Sequence, residues 1–376
     1  MNVLVVTDKL DMGGAENYFC KLENELSHPE LDFYYAAAEG ELCVNLQNKK
    51  KFSSLSRKNH LHNLWVLKRI IKENCIGIYH ANSLRMVFYG LVLKWFRKEK
   101  LHIFYTKHNV TMLEKYFPLV FRKILNRFIK KIITVSDFEK FQLIDLGIDS
   151  RKIKTIYNGV DLQQFVYQRK KNQIPKKVGI LGRISKEKNQ GFFLEVAEAC
   201  LHYPDLIFYI AGDGPYYQSI QQQIINLGIQ DKVQMIGAVH APERFLRNMD
   251  VLLVTSHREV FPMVVLESMA VGTPIISINR GGINEAIENG KSGYLLQKHS
   301  KQEFCCKIED LLSNDLKRLQ IIKEARKKVE TAFSLQKMIQ YTLDEYSLVL
   351  DEKKVISTND KKMRKPFKHS RKGGAE

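Results

Sequence analysis

The 376-residue sequence predicts an α/β protein of two tandem doubly wound, Rossmann-like domains that face each other across a cleft. Three observations predict it. The length exceeds what one ordinary core supports, so two domains are expected. Short apolar runs alternate with amphipathic segments, which implies parallel strands covered by helices on both faces. The alternating series occurs twice, and residues 163–176 between the two read as a polar, basic linker.

In the first series residues 3–7, Val-Leu-Val-Val-Thr, form a buried strand. Gly13-Gly14 makes a loop ahead of a helix over 15–26. Further strands are expected at 33–38, 76–80, 102–106, 131–135 and 153–156, with helices at 64–72, 86–96, 119–130 and 139–146. Asn158-Gly159 is a turn signal. The second series has strands at 177–181, 206–211, 233–236, 251–255, 274–278 and 293–296. Its helices fall at 192–202, 216–227, 242–248 and 263–270, with a helical turn at 284–287. Helices at 301–313, 316–331 and 335–351 follow. Residues 352–376 are densely basic with few apolar side chains and are expected to be disordered.

A formal net charge of +18 implies an anionic partner: nucleic acid, a membrane surface or a phosphorylated ligand. The six cysteines show neither a C-x-x-C pair nor a metal-ligand spacing, so reduced thiols in a cytosolic protein are expected. The first apolar run meets Asp8 and Lys9 at once, too soon for a signal peptide. No apolar run is long enough to span a bilayer, so a soluble or peripheral protein is expected.

The segment Glu259-Val-Phe-Pro-Met-Val-Val-Leu-Glu267 carries the strongest chemical signal. It sets two carboxylates around the start of a helix. A helix N-terminus offers free backbone N–H groups and partial positive charge, a seat for a diphosphate. Carboxylates beside that seat accept hydrogen bonds from sugar hydroxyls. Together they describe a nucleotide-sugar site. Taken alone, such a pair is more often a helix-face residue and a solvated loop charge.

Other motifs sit at strand ends. Arg183 and Lys188 follow the first strand of the second series, where a guanidinium fork and a compact ammonium suit a diphosphate. Solvated surface charges are the competing reading. The glycines of Gly13-Gly14-Ala15-Glu16 either let a ligand approach the backbone or supply a positive φ. Gly212-Asp-Gly-Pro215 reads as a tight turn with proline at a helix start. In Gly281-Gly282-Ile-Asn-Glu285 the glycines shape a pocket, or Glu285 complements the dipole of its own helix. His108 ends a strand in a basic setting; it contacts a phosphate or sugar hydroxyl, or it has no ligand role. Trp95-Phe-Arg-Lys98 and residues 116–131 are aromatic, apolar and basic. The second matches a helix lying on an anionic membrane surface, or one burying its apolar face in the first domain.

Taken in order, these motifs resemble a family-4 retaining glycosyltransferase of the GT-B fold, in the group called glycosyl transferases group 1. Enzymes of bacterial surface polysaccharide biosynthesis commonly look like this. The matching residues are the glutamate pair, Gly13-Gly14-x-Glu16, His108, Val135-Ser136, Asn158-Gly-Val-Asp161 and Gly182-Arg183 with Lys188. Gly212-Asp-Gly-Pro215, Met269-Ala-x-Gly-x-Pro274 and Gly281-Gly-x-x-Glu285 complete the set.

The resemblance implies roles. Arg183 and Lys188 would neutralise the donor diphosphate, with no metal and no cofactor required. Glu259 would bind hydroxyls of the donor sugar and Glu267 those of the ribose. Phe261, Pro262, Met263 and Val264 would form the donor site, with backbone N–H groups near Met263 and Val264 touching sugar and phosphate. His108 would reach the transferring sugar from the other domain, and Gly13 and Gly14 would line the phosphate side of the cleft. The first domain, 1–165, would serve the acceptor, and 335–351 would cross back onto it; 175–334 would hold the donor. Implied partners are a nucleoside-diphosphate sugar, commonly of uridine, and a glycan or lipid-linked acceptor, with no nucleic acid. The implied location is cytoplasmic, peripheral at the inner face of the plasma membrane. Val260 stands where the family often has glycine, which narrows the expected sugar pocket.

Two other classes stay open on the residues. A nucleic-acid-binding protein fits the charge, but no helix-turn-helix, RRM or zinc module is evident. A two-domain scaffold of the same fold that binds a ligand without transferring sugar fits the motifs.

Overall fold

The computed structural model describes residues 1–95, 101–170 and 174–363, with side chains as far as residue 352. Phe96, Arg97 and Lys98 of the aromatic, basic segment, residues 171–173 of the linker and residues 364–376 of the basic tail lie outside the described residues.

In the first lobe the chain runs β1 (Asn2–Lys9), α1 (Gly14–Glu25), β2 (Asp32–Ala38), β3 (Phe52–Leu55), α2 (His60–Glu73), β4 (Ile76–Ala81) and α3 (Leu84–Trp95). It continues through β5 (His102–Lys107), α4 (Met112–Tyr116), α5 (Pro118–Phe128), β6 (Lys131–Thr134), α6 (Asp137–Asp145) and β7 (Ile153–Thr155). The strands make one seven-stranded sheet in the order β3-β2-β1-β4-β5-β6-β7. Every pairing in it is parallel. Val3, Leu4, Val5 and Val6 are fully buried, as a strand covered on both faces requires. β3 was not among the expected strands. It is a short edge strand whose Phe-Ser-Ser-Leu sequence gives too thin an apolar pattern to register.

The second lobe runs β8 (Lys176–Leu181), α7 (Gln190–Ala199), β9 (Leu206–Ala211), α8 (Tyr217–Asn226), β10 (Val233–Gly237), α9 (Pro242–Asn248) and β11 (Val251–Val254). Then come α10 (Met263–Val271), β12 (Ile275–Ile278), α11 (Ile283–Ala286), β13 (Tyr294–Leu296), α12 (Lys301–Ser313) and α13 (Asp315–Ala332). Its six strands, also parallel, take the order β10-β9-β8-β11-β12-β13. The expected two-sheet α/β architecture is present. Pro215 does not open a helix as expected; α8 begins at Tyr217 after a loop in which Gly212 and Gly214 both have positive φ.

The final helix, α14 (Leu335–Met363), returns to the first lobe. Leu335, Met338, Ile339, Leu343, Tyr346, Val349 and Leu350 recur at helical spacing and pack with Val3, Val5, Ile78 and Phe104 on one face of the first sheet. The helix was expected to stop at residue 351 and instead continues to Met363. Its composition argues against a buried face there, but its lysines and glutamate are good helix formers. The first helix-breaking residue after Leu335 is Pro366. All six cysteines are free thiols, with Cys305 buried and Cys306 exposed as adjacent helical positions require.

The chain crosses between lobes twice, and the crossings run side by side. Val160 N donates to Phe333 O at 2.9 Å, and Leu335 N donates to Val160 O at 3.0 Å. A Cβ on Gly159 would stand 2.6 Å from Leu335 Cα, so a side chain there would push the strands of the hinge apart.

A buried polar chain ties α14 to the sheet. His80 bonds the Tyr346 hydroxyl through Nδ1 and lies 2.6 Å from Thr106 Oγ1 through Nε2. Burial pushes the His80 imidazole down to about 3. That lies below the unfolded value near 6.5, so the fold holds the neutral ring. Its contribution to stability is complete above the unfolded value and is lost as pH falls toward the folded one. His108, also lowered to about 3 by burial, acts in the same window. Glu16 and Glu267, both raised by burial, act with opposite sign at the acid end. Urea unfolding at about pH 7 and about pH 5 should show stability falling with acidification, and His80→Gln should flatten that slope. An equal slope in the variant would show that His80 does not carry it.

Candidate functional site

Strand order reverses between β1 and β4 in the first sheet and between β8 and β11 in the second. Open α/β sheets take ligands in the crevice above the carboxyl ends of such strands. Arg183 and Lys188 leave the end of β8, and Glu259 leaves the end of β11. The fold therefore gathers residues that the sequence spaces far apart.

At this point Lys188 Nζ donates to Glu259 Oε1 at 2.6 Å. The Ser256 hydroxyl donates to the same oxygen at 2.6 Å. Glu259 is 9% exposed and Lys188 30%, so the carboxylate is fixed while the ammonium keeps a path to solvent. The Thr255 hydroxyl lies 2.9 and 3.1 Å from the carbonyls of Lys188 and Asn189, which pins the lysine's loop to β11. Asn189 takes a left-handed conformation, which asparagine tolerates better than most residues. Arg183, five residues before Lys188, is exposed.

The glycine pair at 281–282 shapes the site from below. A Cβ on Gly281, at φ 61°, would overlap Glu259 O at 1.6 Å. One on Gly282 would stand 2.3 Å from Val260 O. The pair thus lets its loop lie against the backbone that carries Glu259. Gly212 plays the same part for the other loop, since its Cβ would meet Gly182 O at 1.9 Å.

Phe261 is buried, with its ring centroid 5.2 Å from Tyr157 and 5.5 Å from Phe333. It anchors the turn into α10. Pro262 occupies the N-cap position of α10 and supplies no capping side chain, so none masks the N–H groups of Met263 and Val264. Glu267 lies one turn further on. Among the described residues it has no hydrogen-bond or ion-pair partner, and burial raises its carboxyl above the ordinary value.

The first lobe supplies the opposite wall. Gly14, Tyr18, Lys21, Asn158, Gly159, Met263 and Met338 line a narrow gap between the lobes. Gly13 is extended, at φ −176° and ψ 165°, and Gly14 is not among the glycines with positive φ. The turn-strain explanation for these glycines is therefore excluded. A Cβ on Gly14 would meet nothing within 4 Å, so the glycine leaves open backbone facing the gap. Lys21 Nζ donates to Gly159 O at 2.7 Å. Burial lowers its ammonium, and the charges of Glu267 and Asp161 oppose that fall. No sequence motif singled out Lys21; its partners belong to the hinge and the other lobe.

His108 follows β5 and packs edge-on against Tyr18, with ring centroids 4.7 Å apart. Its Nε2 is buried and has no hydrogen-bond partner. A neutral ring with an unused nitrogen is equipped to meet a ligand hydroxyl.

Glu285 stands in the first turn of its own helix, as expected, and also reaches across to the other lobe. Its two carboxylate oxygens accept from Asp137 N and Phe138 N, each at 2.7 Å, at the N-terminus of α6 in the opposite lobe. Among the described residues no group of three or more His, Cys, Asp or Glu side chains is arranged to hold a metal ion.

Residues 164–328 match the family described as Glycosyl transferases group 1, and residues 12–164 match Glycosyltransferase Family 4. The chain is 28% identical over 214 residues to an N-acetyl-alpha-D-glucosaminyl L-malate synthase of Bacillus anthracis, an alignment covering 54% of this chain and 56% of that relative. It is 23% identical over 355 residues, 88% of each chain, to a UDP-Gal:alpha-D-GlcNAc-diphosphoundecaprenol alpha-1,3-galactosyltransferase of Escherichia coli. Its fold is similar to that of Anabaena HepE solved in complex with UDP-glucose. The TM-score is 0.80 at 20% identity, covering 92% of this chain and 99% of that one. With the two matches in unbroken succession and the fold they call for, the chain belongs to the glycosyl transferases group 1 family of GT-B architecture.

Proposed function

We propose that this chain is a retaining glycosyltransferase. It moves a sugar from a nucleoside-diphosphate sugar, a UDP-sugar, to a glycan or lipid-linked acceptor in cell-surface polysaccharide biosynthesis. The observation that carries the proposal is the Lys188–Glu259 pair at the switch point of the second sheet. Cation and carboxylate are the two groups that a diphosphate joined to a polyol requires.

In this reading the donor diphosphate draws the Lys188 ammonium and the Arg183 guanidinium. Glu259, held by Ser256, is left to accept from sugar hydroxyls. The N-terminus of α10, at Met263 and Val264, meets the phosphate and sugar, and the partnerless Glu267 meets the ribose. The bond between the anomeric carbon and the phosphate oxygen breaks, and its electron pair leaves with the nucleoside diphosphate. The acceptor oxygen bonds to the anomeric carbon on the same face and passes its proton to the departing phosphate. Negative charge grows on the leaving group, where fixed cations stabilise it without a metal ion. His108 faces the transferring sugar as a neutral ring, and closure of the lobes excludes water.

The same reading places the protein at the cytoplasmic face of an anionic membrane. No helix among the described residues is long and apolar enough to cross a membrane. Helix α5 turns Phe121 and Leu125 into the core while Leu119 and Val120, with Tyr116 and Phe117 just ahead of them, stay exposed. Arg122, Lys123 and Arg127 are exposed on the same helix. Lys130 and Lys131 serve differently: they pair with Glu352 at 2.7 Å and Glu345 at 3.0 Å on α14.

Glu259→Ala and Lys188→Ala should each slow sugar transfer, followed as UDP release, by about ten- to a hundred-fold. Near-normal rates in both would overturn the assigned roles. Transfer should persist in excess EDTA; loss that a divalent ion restores would remove the metal-free scheme. Leu119→Asp combined with Val120→Asp should cut pelleting with phosphatidylglycerol-containing vesicles several-fold. Undiminished pelleting would take the membrane contact away from α5.

A further inference from the structure

Lys107 is the last residue of β5 and is completely shielded from solvent. Its ammonium forms an ion pair with Glu139 on α6 and a second with Glu114 on α4 at 3.1 Å. Glu114 and Glu139 are 7% and 1% exposed. One cation and two carboxylates are thus sealed together. Glu139 Oε2 has no hydrogen-bond partner. Such a cluster is a poor way to gain stability, because desolvation offsets most of the attraction. Its geometry does something more specific.

Glu114 belongs to a capping box: Thr111 Oγ1 accepts from Glu114 N at 3.3 Å, and Thr111 N donates to Glu114 Oε2 at 3.2 Å. That same Oε2 is the atom Lys107 holds. Residues 107–114 are therefore closed into a ring, anchored at one end by the sheet and at the other by a shared carboxylate oxygen. His108 is the first residue inside the ring. On the far side Glu139 sits on α6, whose first N–H groups are held by Glu285 of the other lobe. One unbroken set of contacts runs from the second lobe, through α6 and Lys107, to the loop that presents His108.

We propose that Lys107 is a positioning residue that fixes the His108 loop in register with the closed lobes. The proposal rests on the reading that His108 faces the transferring sugar. Lys107 itself touches neither donor nor acceptor. Burial lowers its ammonium to about 8, and the Glu114 carboxylate resists that fall and keeps it charged near neutrality.

The test uses the full chain and UDP-glucose, with turnover read as UDP release and nucleotide affinity read by calorimetry with UDP. Lys107→Met alone leaves two buried carboxylates unpaired and is compared for that reason with a neutral triple variant. In that variant Lys107→Met is combined with Glu114→Gln and Glu139→Gln, which remove the charges and keep an acceptor for Thr111. The folded triple variant should bind UDP within about two-fold of the parent and turn over about ten- to a hundred-fold more slowly, the cost of a misplaced group. The ¹H–¹³C signal of the His108 ring should move. Adding His108→Ala to the triple should cause little further loss. An unchanged rate in the folded triple variant, or losses that multiply, would overturn the proposal while leaving the His108 reading in place. A normal rate in His108→Ala alone would remove that reading and this proposal with it.

Discussion

The contact of Gly159 with the backbone of Leu335 is the constraint on which the rest of the molecule depends. Two covalent connections between lobes would ordinarily allow swivelling, because interdomain linkers carry few contacts. Here the connections hydrogen-bond to each other through Val160 and Phe333, and glycine lets them lie in contact. The carboxyl ends of the two sheets then face one another. Lys21 completes the arrangement by donating to the carbonyl of that same glycine.

The site inherits its order from this geometry. Each lobe supplies half of it by an independent route. The second lobe brings Lys188 and Glu259 together because both leave strands that flank the same reversal of strand order. From the first lobe Gly14 lines the gap, and the proposed role of His108 adds the end of β5. Glycines at 212 and 281 serve the site without facing it, by letting neighbouring loops stack backbone on backbone. The proposed chemistry needs little more from the protein than fixed charge of both signs and a neutral imidazole.

Both sheets were legible in the sequence, because buried parallel strands write themselves as apolar runs. The motif residues were legible too, since each follows such a run. Pairing was not. Glu259 lies 71 residues from Lys188, Glu139 lies 32 from Lys107, and Glu285 lies 148 from Asp137. A carboxylate in a local string reads as a helix-start charge or a solvated one, and only the folded chain shows which amides it meets. Thr111-Met-Leu-Glu114 did carry a readable sign, the spacing of a capping box, and it marks the short helix α4 that apolar periodicity passed over. The end of α14 was obscured for a different reason: composition speaks to burial, whereas helix continuation depends on the absence of a breaker.

The double grip of Glu285 on α6 has a kinetic corollary. A hydrogen bond to a charged group is worth about 1.5–3 kcal/mol, and both must rupture before the lobes part. Any exit route that requires the lobes to separate therefore passes through loss of that grip, so the dwell time of whatever is enclosed is set partly by a clasp between the lobes.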